Sequence, residues 1–599
     1  MAFTPAFDIQ SLHAAYSSGF TPAQMVEEVF ARIDAIDDPG IFISIADRES
    51  LLADALALGN FDPVRTPLFG IPFAVKDNID VKGLPTTAAC PDYAYTPSED
   101  ATVVQLLKQA GALVIGKTNL DQFATGLVGI RTPYPVPRNA LNKDLVPGGS
   151  SSGSAVAVSH GIVTFALGTD TAGSGRIPAG LNNIVGLKPS VGAISTTGVI
   201  PACRTLDCVS IFACCAADAL DIFKIAAKPD SIDAYSRQLP CDVTMTAPPM
   251  LKIGVPAVAD REFFGDVLMQ ASYENALRQL VSQGHEIIEL PFSGFYDVAH
   301  LLYEGAWVAE RYQAVKQFYD THPESFHPVT RSIYGAAKQL SAADAFSGLY
   351  RLQTLKKQLA PLIASVDLLC VPTAPTHYSL SDLEAEPVQA NSRLGTYTNF
   401  VNLLDLCGMA VPAGERSDGL PSSVTFLAPF GADGLVAAIS DALHRRTSKT
   451  TGATGWQLPP SVEHSSSLNK AMIPIVVVGA HLSGMPLNHQ LTNLNGQFLR
   501  AGKTAPAYAL YALDNQVPPK PGLVDVGNGA SIDIEIWQLS PSAFGQFVNA
   551  IPAPMCIGTI KLDDGSSAKG FLVEPHAIDG AEDITEYGGW RSWLSAAKD

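Results

Sequence analysis

Between Pro147 and Pro178 the chain reads PGGSSSGSAVAVSHGIVTFALGTDTAGSGRIP, with two Gly/Ser-rich turns each set against a short regular element. Residues 155–160 read as a helix of small side chains and residues 164–167 as a strand. Serines in such turns are presented on backbone with N–H groups nearby. Those are the two needs of acyl transfer, an exposed nucleophile and an oxyanion hole. A plain loop or a phosphate-binding turn is the competing reading, but the stretch holds neither GxxxxGK[ST] nor GxGxxG. Residues 149–153 also satisfy GxSxG, the nucleophile elbow of α/β-hydrolases. That pattern would make Ser151 the nucleophile, with a later Asp and one of the twelve histidines, and it leaves the second turn, 168–176, without a task.

The surroundings of this stretch alternate strands and helices, which predicts an α/β domain. Thr21-Pro22-Ala23-Gln24 is a capping box with proline at the first helical position, and Val26, Val29, Phe30, Ile33 and Ile36 follow as an apolar stripe. Residues 71–75 and 113–115 read as strands, and 101–110 as a helix with Val103, Leu106 and Leu107 inward. Near residue 445 the composition turns to Ser, Thr, Gly and Pro without periodicity, which predicts a linker over 446–471. Beyond it, residues 473–478, 507–513, 532–537, 557–562 and 570–573 read as strands between Gly, Pro and Asp turns. Two domains are therefore expected, 1–445 and a smaller, mostly β module at 472–599.

Composition removes several classes of function. The 599 residues are 47% hydrophobic and 16% charged, which excludes a disordered, solvating chain. With 39 basic against 58 acidic side chains the net charge is −19, so a nucleic-acid or membrane-surface role is disfavoured. No apolar run reaches the ~18 residues of a membrane span, and the first residues lack the basic and apolar regions of a signal peptide. A cytoplasmic location is expected. The nine cysteines are odd in number and form no CxxC, and there is no HExxH, so they read as buried small hydrophobes and no metal is expected.

One helical stretch suggests a ligand. Tyr303, Trp307 and Arg311 recur every four residues and so share one helix face. A guanidinium beside a phenol and an indole suits a small planar carboxylate. The same pattern also fits an ordinary half-buried face with a snorkelling arginine.

The motifs 70-GIPFAVKDN-78, 116-GKTN-119, 148-GGSSSG-153, 168-GTDTAGS-174, 176-RIP-178 and 186-GLKP-189 resemble the amidase signature family over residues 20–440. The resemblance implies an α/β fold with a mixed sheet flanked by helices. It implies Ser174 as nucleophile, Ser150 as a bridging serine on a cis peptide, and Lys76 as base. The 24-residue spacing of the two serines agrees with the family pattern, and the family's usual glycine is Ala172 here. Backbone N–H groups of Thr171, Ala172, Gly173 and Ser174 would hold the oxyanion. Lysine is a base only when uncharged, a state that burial favours, and Lys76 follows the apolar run Phe73-Ala74-Val75. Lys117 follows a second apolar run and is an alternative base by spacing; the resemblance favours Lys76.

With the tail included, nearly the whole chain resembles the allophanate hydrolase branch of that family, the tail looking like the small β fold of γ-glutamylcyclotransferases. This implies hydrolysis of allophanate (urea-1-carboxylate) to ammonia and carbon dioxide in urea degradation. Urea carboxylase is then the metabolic partner, no cofactor is needed, and a homodimer is expected. Tyr303 and Arg311 would grip the substrate carboxylate, and Gly126 would line the pocket with its backbone. His481, in a Gly-bounded turn after a strand, is the candidate proton donor for decarboxylation in the tail, while Glu535 and Glu574 are carboxylates without an assigned role. The alternatives are a signature-family amidase for another small amide, such as an ammonia-supplying transamidation subunit, and a non-catalytic binding scaffold.

Overall fold

Strands that run through the centre of an α/β sheet are buried on both faces, so they must be continuously apolar. The strands β1 (Phe42–Ile45), β2 (Pro72–Lys76), β3 (Leu113–Thr118), β4 (Phe165–Asp170), β5 (Val185–Lys188) and β6 (Cys208–Ala213) are followed by β7 (Lys252–Pro256), β8 (Glu286–Leu290), β9 (Leu368–Pro372), β10 (Leu406–Glu415) and β11 (Pro421–Pro429). Every residue of β2, β3, β4, β5 and β6 is buried. The computed structural model describes residues 5–240, 243–304, 306–461, 472–513 and 516–597. Together these strands form one mixed sheet in the order β1-β3-β2-β4-β6-β5-β10-β11-β9-β7-β8. Helices alternate with these strands along the chain, giving the expected α/β domain. Parallel pairing of β2 with both β3 and β4 brings the carboxyl ends of β2 and β4 side by side, with Val75 opposite Leu167. That is where open α/β sheets place their sites.

The local signals are borne out with informative shifts. Thr21 and Gln24 cap the helix Pro22–Ile36 reciprocally. Val26 and Val29 of its stripe are buried, as is Met25, while Phe30, Ile33 and Ile36 are half-buried. In Thr102–Gln109 the buried residues are Val103, Val104 and Leu107; Leu106 is only half-buried. Strand β4 continues through Gly168, Thr169 and Asp170, because these pair with Ser210, Val209 and Cys208 of β6. The second turn is therefore shorter than 168–176. The small-residue helix is Ser152–Ser159, three residues earlier than its apolar run suggested, and all eight of its residues are buried. Of the cysteines described, all are buried except the half-buried Cys556; Cys241 lies outside the described residues.

The chain divides into two compact units, the first spanning 1–462 apart from 244–252 and 284–286, the second made of those stretches and 463–599. Part of the Ser/Thr/Gly-rich stretch belongs to the first unit. Gly452 and Ala453 donate their N–H groups to the carbonyls of Asn183 and Ser159, at 2.8 Å each. Residues 462–471 of the expected linker lie outside the described residues. The second unit is mostly β, with β12 (Ile473–Val477), β13 (Gln497–Lys503), β14 (Tyr508–Ala512), β15 (Pro521–Asp525), β16 (Asp533–Leu539), β17 (Met555–Lys561), β18 (Ser567–Val573) and β19 (Glu582–Asp583). They form a five-stranded sheet, β13-β16-β12-β18-β17, and a three-stranded one, β15-β14-β19. Among the described residues, no helix is long and apolar enough to cross a membrane.

Two glycines in helices test this packing with opposite signs. A Cβ on Gly153 would stand 2.3 Å from the Ile41 carbonyl oxygen and 2.7 Å from the Asn119 nitrogen. A Cβ on Gly545, in the helix Pro541–Asn549, would meet nothing within 4 Å. Alanine favours a helix over glycine by about 1 kcal/mol, whereas forcing atoms into close-packed backbone costs about 1–3 kcal/mol or more. Gly545→Ala should therefore raise the unfolding midpoint of the second unit. Gly153→Ala should lower that of the first, as followed by chemical denaturation.

Candidate active site

Lys76 ends β2 with its side chain fully buried. Its Nζ lies 2.8 Å from Ser150 Oγ and 2.7 Å from Thr169 Oγ1, the latter on the neighbouring β4. Among the described residues no carboxylate lies within ion-pair distance of it. Burial pushes the Lys76 ammonium down to about 7, against the opposing pull of Asp121, Asp207 and Asp170. Nζ donates to both hydroxyls, and in the uncharged amine its lone pair can accept from one of them instead. The Gly149–Ser150 peptide is cis. Gly149 is obligatory here, because a Cβ would fall 2.0 Å from Asp121 Oδ2.

Ser174 sits in the turn after β4, 3% exposed, with its hydroxyl 3.4 Å from the Gly126 carbonyl oxygen. Asp170, the last residue of β4, builds this turn. Its carboxylate accepts the N–H groups of Gly173 (2.9 Å) and Gly175 (3.0 Å) and both prongs of Arg176 (2.9 Å each). Burial alone would raise the Asp170 carboxyl, but the Arg176 guanidinium outweighs it and holds the group below its usual range. Gly173 has φ +139°, and a Cβ there would meet Thr398 Oγ1 at 2.4 Å, so only glycine fits. The Thr171 hydroxyl donates to Asp207, which also accepts the N–H groups of Ala202 and Cys203. Burial raises the Asp207 carboxyl to about 6. The Gly173 N–H, one of the four expected to face an oxyanion, donates to Asp170.

Asp121 organises the facing loop. It accepts N–H bonds from Val128 (3.3 Å), Gly129 (2.9 Å) and Arg131 (2.9 Å), and its own N–H donates to the Ser150 carbonyl at 3.0 Å. A Cβ on Gly126 would lie 2.5 Å from Asp121 Oδ2. Sequence reading passed over Asp121, Asp170 and Asp207. For Asp170 the available signal was its place at the head of the second Gly/Ser turn, where such side chains collect backbone N–H groups, whereas Asp121 and Asp207 lie outside both turns in sequence.

Tyr303 lies on Ser293–Glu304, while Trp307 and Arg311 lie on Ala306–Thr321, with residue 305 between them outside the described residues. The Arg311 guanidinium carbon is 5.4 Å from the centre of the Tyr303 ring. Arg311 is 1% exposed, and its Nε and Nη2 have no hydrogen-bond partner among the described residues. Burial disfavours its charge, but Cys203, Tyr303, Tyr334 and Asp207 together more than offset this, so its pKa is raised. A buried guanidinium with idle N–H groups is costly unless an anion completes it.

The competing residues have other employment. Lys117 is buried in an ion pair with Asp77 (3.2 Å) and bonded to Thr86 Oγ1 (2.8 Å) and the Pro85 carbonyl (3.2 Å). This is the bonding of a lysine that ties loops together. Ser151 is fully buried, and its hydroxyl bonds the Thr169 carbonyl at 3.3 Å. In the second unit, His481 stacks on Phe571 (4.8 Å between ring centres) beside Phe547, and Nε2 meets Gln490 Oε1 at 2.9 Å. Burial pushes this imidazole down to about 4, so the ring is neutral near pH 7. Glu535 is buried and held by Arg591 (2.8 Å), the Ser483 hydroxyl and N–H, and the Trp537 indole. Glu574 is exposed.

Comparison with known proteins accounts for both units. Residues 24–437 match the Amidase family and residues 473–595 the allophanate hydrolase C-terminal domain. The urea amidolyase of Saccharomyces cerevisiae is 42% identical over 97% of this chain, which covers 32% of the yeast protein. The chain thus spans about a third of the length of the curated urea amidolyases it matches. The crystal structure of Kluyveromyces lactis allophanate hydrolase superposes with a TM-score of 0.80 at 41% identity, covering 99% of this chain and 100% of that one. The K. lactis urea amidolyase gives 0.81 at 41% identity, covering 100% of this chain and 37% of that one.

The Asp170–Arg176 pair has a measurable weight. Asp170→Asn would leave a buried guanidinium without its charge partner and weaken the acceptor of two N–H groups. A loss of about 3–5 kcal/mol is expected, read as a lower denaturation midpoint, together with loss of amidase activity as the Ser174 turn relaxes.

Proposed function

The chain belongs to the amidase family, and we propose that it hydrolyses allophanate, with Ser174 as nucleophile, Ser150 as proton relay and Lys76 as base. The observation that carries the substrate class is Arg311, a buried guanidinium whose Nε and Nη2 lack partners among the described residues, beside Tyr303. A carboxylate on a small amide would complete it with charge-assisted hydrogen bonds. The likeness of nearly the whole chain to an allophanate hydrolase, tail included, supports allophanate in particular.

In this reading uncharged Lys76 draws a proton from Ser150 as Ser150 draws one from Ser174. The Ser174 alkoxide then attacks the amide carbonyl. Thr171, Ala172 and Ser174 stabilise the oxyanion through their N–H groups, and each such donor contributes about 3 kcal/mol to lowering the barrier. The proton returns through Ser150 to the leaving nitrogen, which departs as ammonia. The Gly126 carbonyl orients the Ser174 hydroxyl before attack. Water then cleaves the acyl-enzyme, with the same relay as base, and leaves a dicarboxylated amine. That product loses carbon dioxide once its nitrogen is protonated. We assign His481 of the second unit to this later step. Its ring is neutral when free, and a dianion bound beside it would raise its proton affinity, which donation requires. Carboxylation of urea would supply the substrate, which makes urea carboxylase the metabolic partner.

Ammonia release from allophanate, malonamide and acetamide tests the reading. Ser174→Ala should lower turnover of allophanate by about 10⁴-fold or more. Arg311→Met should raise KM for allophanate about 30-fold or more with little effect on malonamide. For the wild type, kcat/KM should fall about tenfold per pH unit below about 7, as Lys76 takes up a proton. Turnover of the neutral amides with none of allophanate would overturn the substrate assignment.

A further inference from the structure

A second guanidinium is buried near the first. Arg131 is 3% exposed and, like Arg311, has no carboxylate within ion-pair distance among the described residues. It lies within electrostatic reach of the Arg311 guanidinium, and its pKa is lowered, chiefly by burial, with Asp121 opposing and Arg311 adding to the effect. Two like charges held out of water in one neighbourhood are tolerated poorly unless something compensates them. A structural arginine bracing a loop would more cheaply be a neutral donor.

The hydrogen bonds of Arg131 give it a second relation to the reaction. Nη1 donates to the Thr125 carbonyl at 3.1 Å, and Nη2 to the Pro387 carbonyl at 3.0 Å. Thr125 directly precedes Gly126, whose carbonyl accepts the Ser174 hydroxyl. The backbone leading into Thr125 is in the left-handed region at two non-glycine residues, Phe123 (φ +50°) and Ala124 (φ +54°). Such a turn persists only where its surroundings enforce it. Arg131 closes it by its N–H to Asp121, by its carbonyl to the Gln122 N–H at 2.7 Å, and by its side chain to Thr125. The Leu127 N–H bonds Asn391 Oδ1 at 2.8 Å, so the loop is tied to the 387–391 segment beside Arg131 as well.

We propose that Arg131 is a positioning and selectivity residue, fixing the Gly126 carbonyl against Ser174 and adding its charge to that of Arg311, so that the pocket favours amides bearing a carboxylate. Arg311 offers the idle N–H groups that touch the anion. Arg131 has its donors engaged and acts on the anion through its field. This rests on the reading of the site as an amidase for a carboxylated amide, and the experiment separates the two.

The test compares Arg131→Gln and Arg131→Lys with the wild type on malonamate, malonamide and allophanate, reading kcat and KM separately. Arg131→Gln should lower the malonamate-to-malonamide ratio of kcat/KM about tenfold or more, mainly through KM for malonamate. Arg131→Lys keeps the charge and loses the planar fork that spans two carbonyls. It should restore most of the ratio, while kcat stays reduced on both amides. An unchanged ratio in Arg131→Gln would overturn the inference. So would an equal fall on both amides that Arg131→Lys does not relieve, which is the behaviour of a merely structural arginine. A wild type that refuses allophanate yet prefers malonamate overturns the allophanate assignment alone; one that prefers malonamide overturns both.

Discussion

Withholding water from one amine is the condition on which this site depends. Lysine is a strong base in solution and for that reason is protonated at neutral pH, when its lone pair is needed. Here Lys76 closes a strand that is buried on both faces, and burial is the largest influence on its charge. The neighbours are matched to that state. Thr169 and Ser150 give the amine hydrogen bonds without a formal charge at contact distance. On the adjacent parallel strand, burial also lowers the Lys117 pKa, but there a carboxylate in contact, Asp77, opposes it. The two lysines thus differ in their contacts, Lys117 having a carboxylate within ion-pair distance and Lys76 two hydroxyls.

Three buried carboxylates hold the irregular backbone around this amine. Asp170 gathers the Ser174 turn, Asp207 holds Thr171 and the 202–203 backbone, and Asp121 gathers the 128–131 loop and anchors the Ser150 carbonyl. Turns in a buried site would otherwise leave N–H groups without water or partners. The same contacts explain why glycine recurs. Gly149 and Gly126 press against Asp121, and Gly173 presses against Thr398, each closer than a Cβ allows. The Gly/Ser richness of the signature is a record of close approach more than of flexibility.

This division also explains what could be read in advance. The signature motifs around Lys76, Ser150 and Ser174 were legible as a resemblance to a family, and the central strands were legible because fully buried strands are continuous apolar runs. The bounds of β4 were not, since Gly168-Thr169-Asp170 has turn composition and becomes strand only by pairing with β6. The carboxylates were missed for a related reason. An Asp that collects N–H groups from residues three to ten positions away looks like any polar loop residue until the loop closes around it. Arg131 was silent for the same reason, because its bonds go to carbonyls, which every residue has. In the second unit β13 and β15 were passed over because QFLRAGK and PGLVD lack a long apolar run.

The charges around Lys76 form a pattern beyond individual contacts. Each carboxylate that draws a proton toward Lys76 also faces an arginine: Asp170 bonds Arg176, Asp207 interacts with Arg311, and Asp121 interacts with Arg131. All three carboxylates still draw Lys76 toward its ammonium form, and burial outweighs them. Only Asp170 is in contact with its arginine. Arg311, whose guanidinium carbon lies 5.4 Å from the centre of the Tyr303 ring, is also the group proposed to meet the substrate carboxylate. On the roles proposed for Lys76 and Arg311, tuning the base and recognising the anion are one electrostatic problem, because the Asp207 carboxylate acts on both groups.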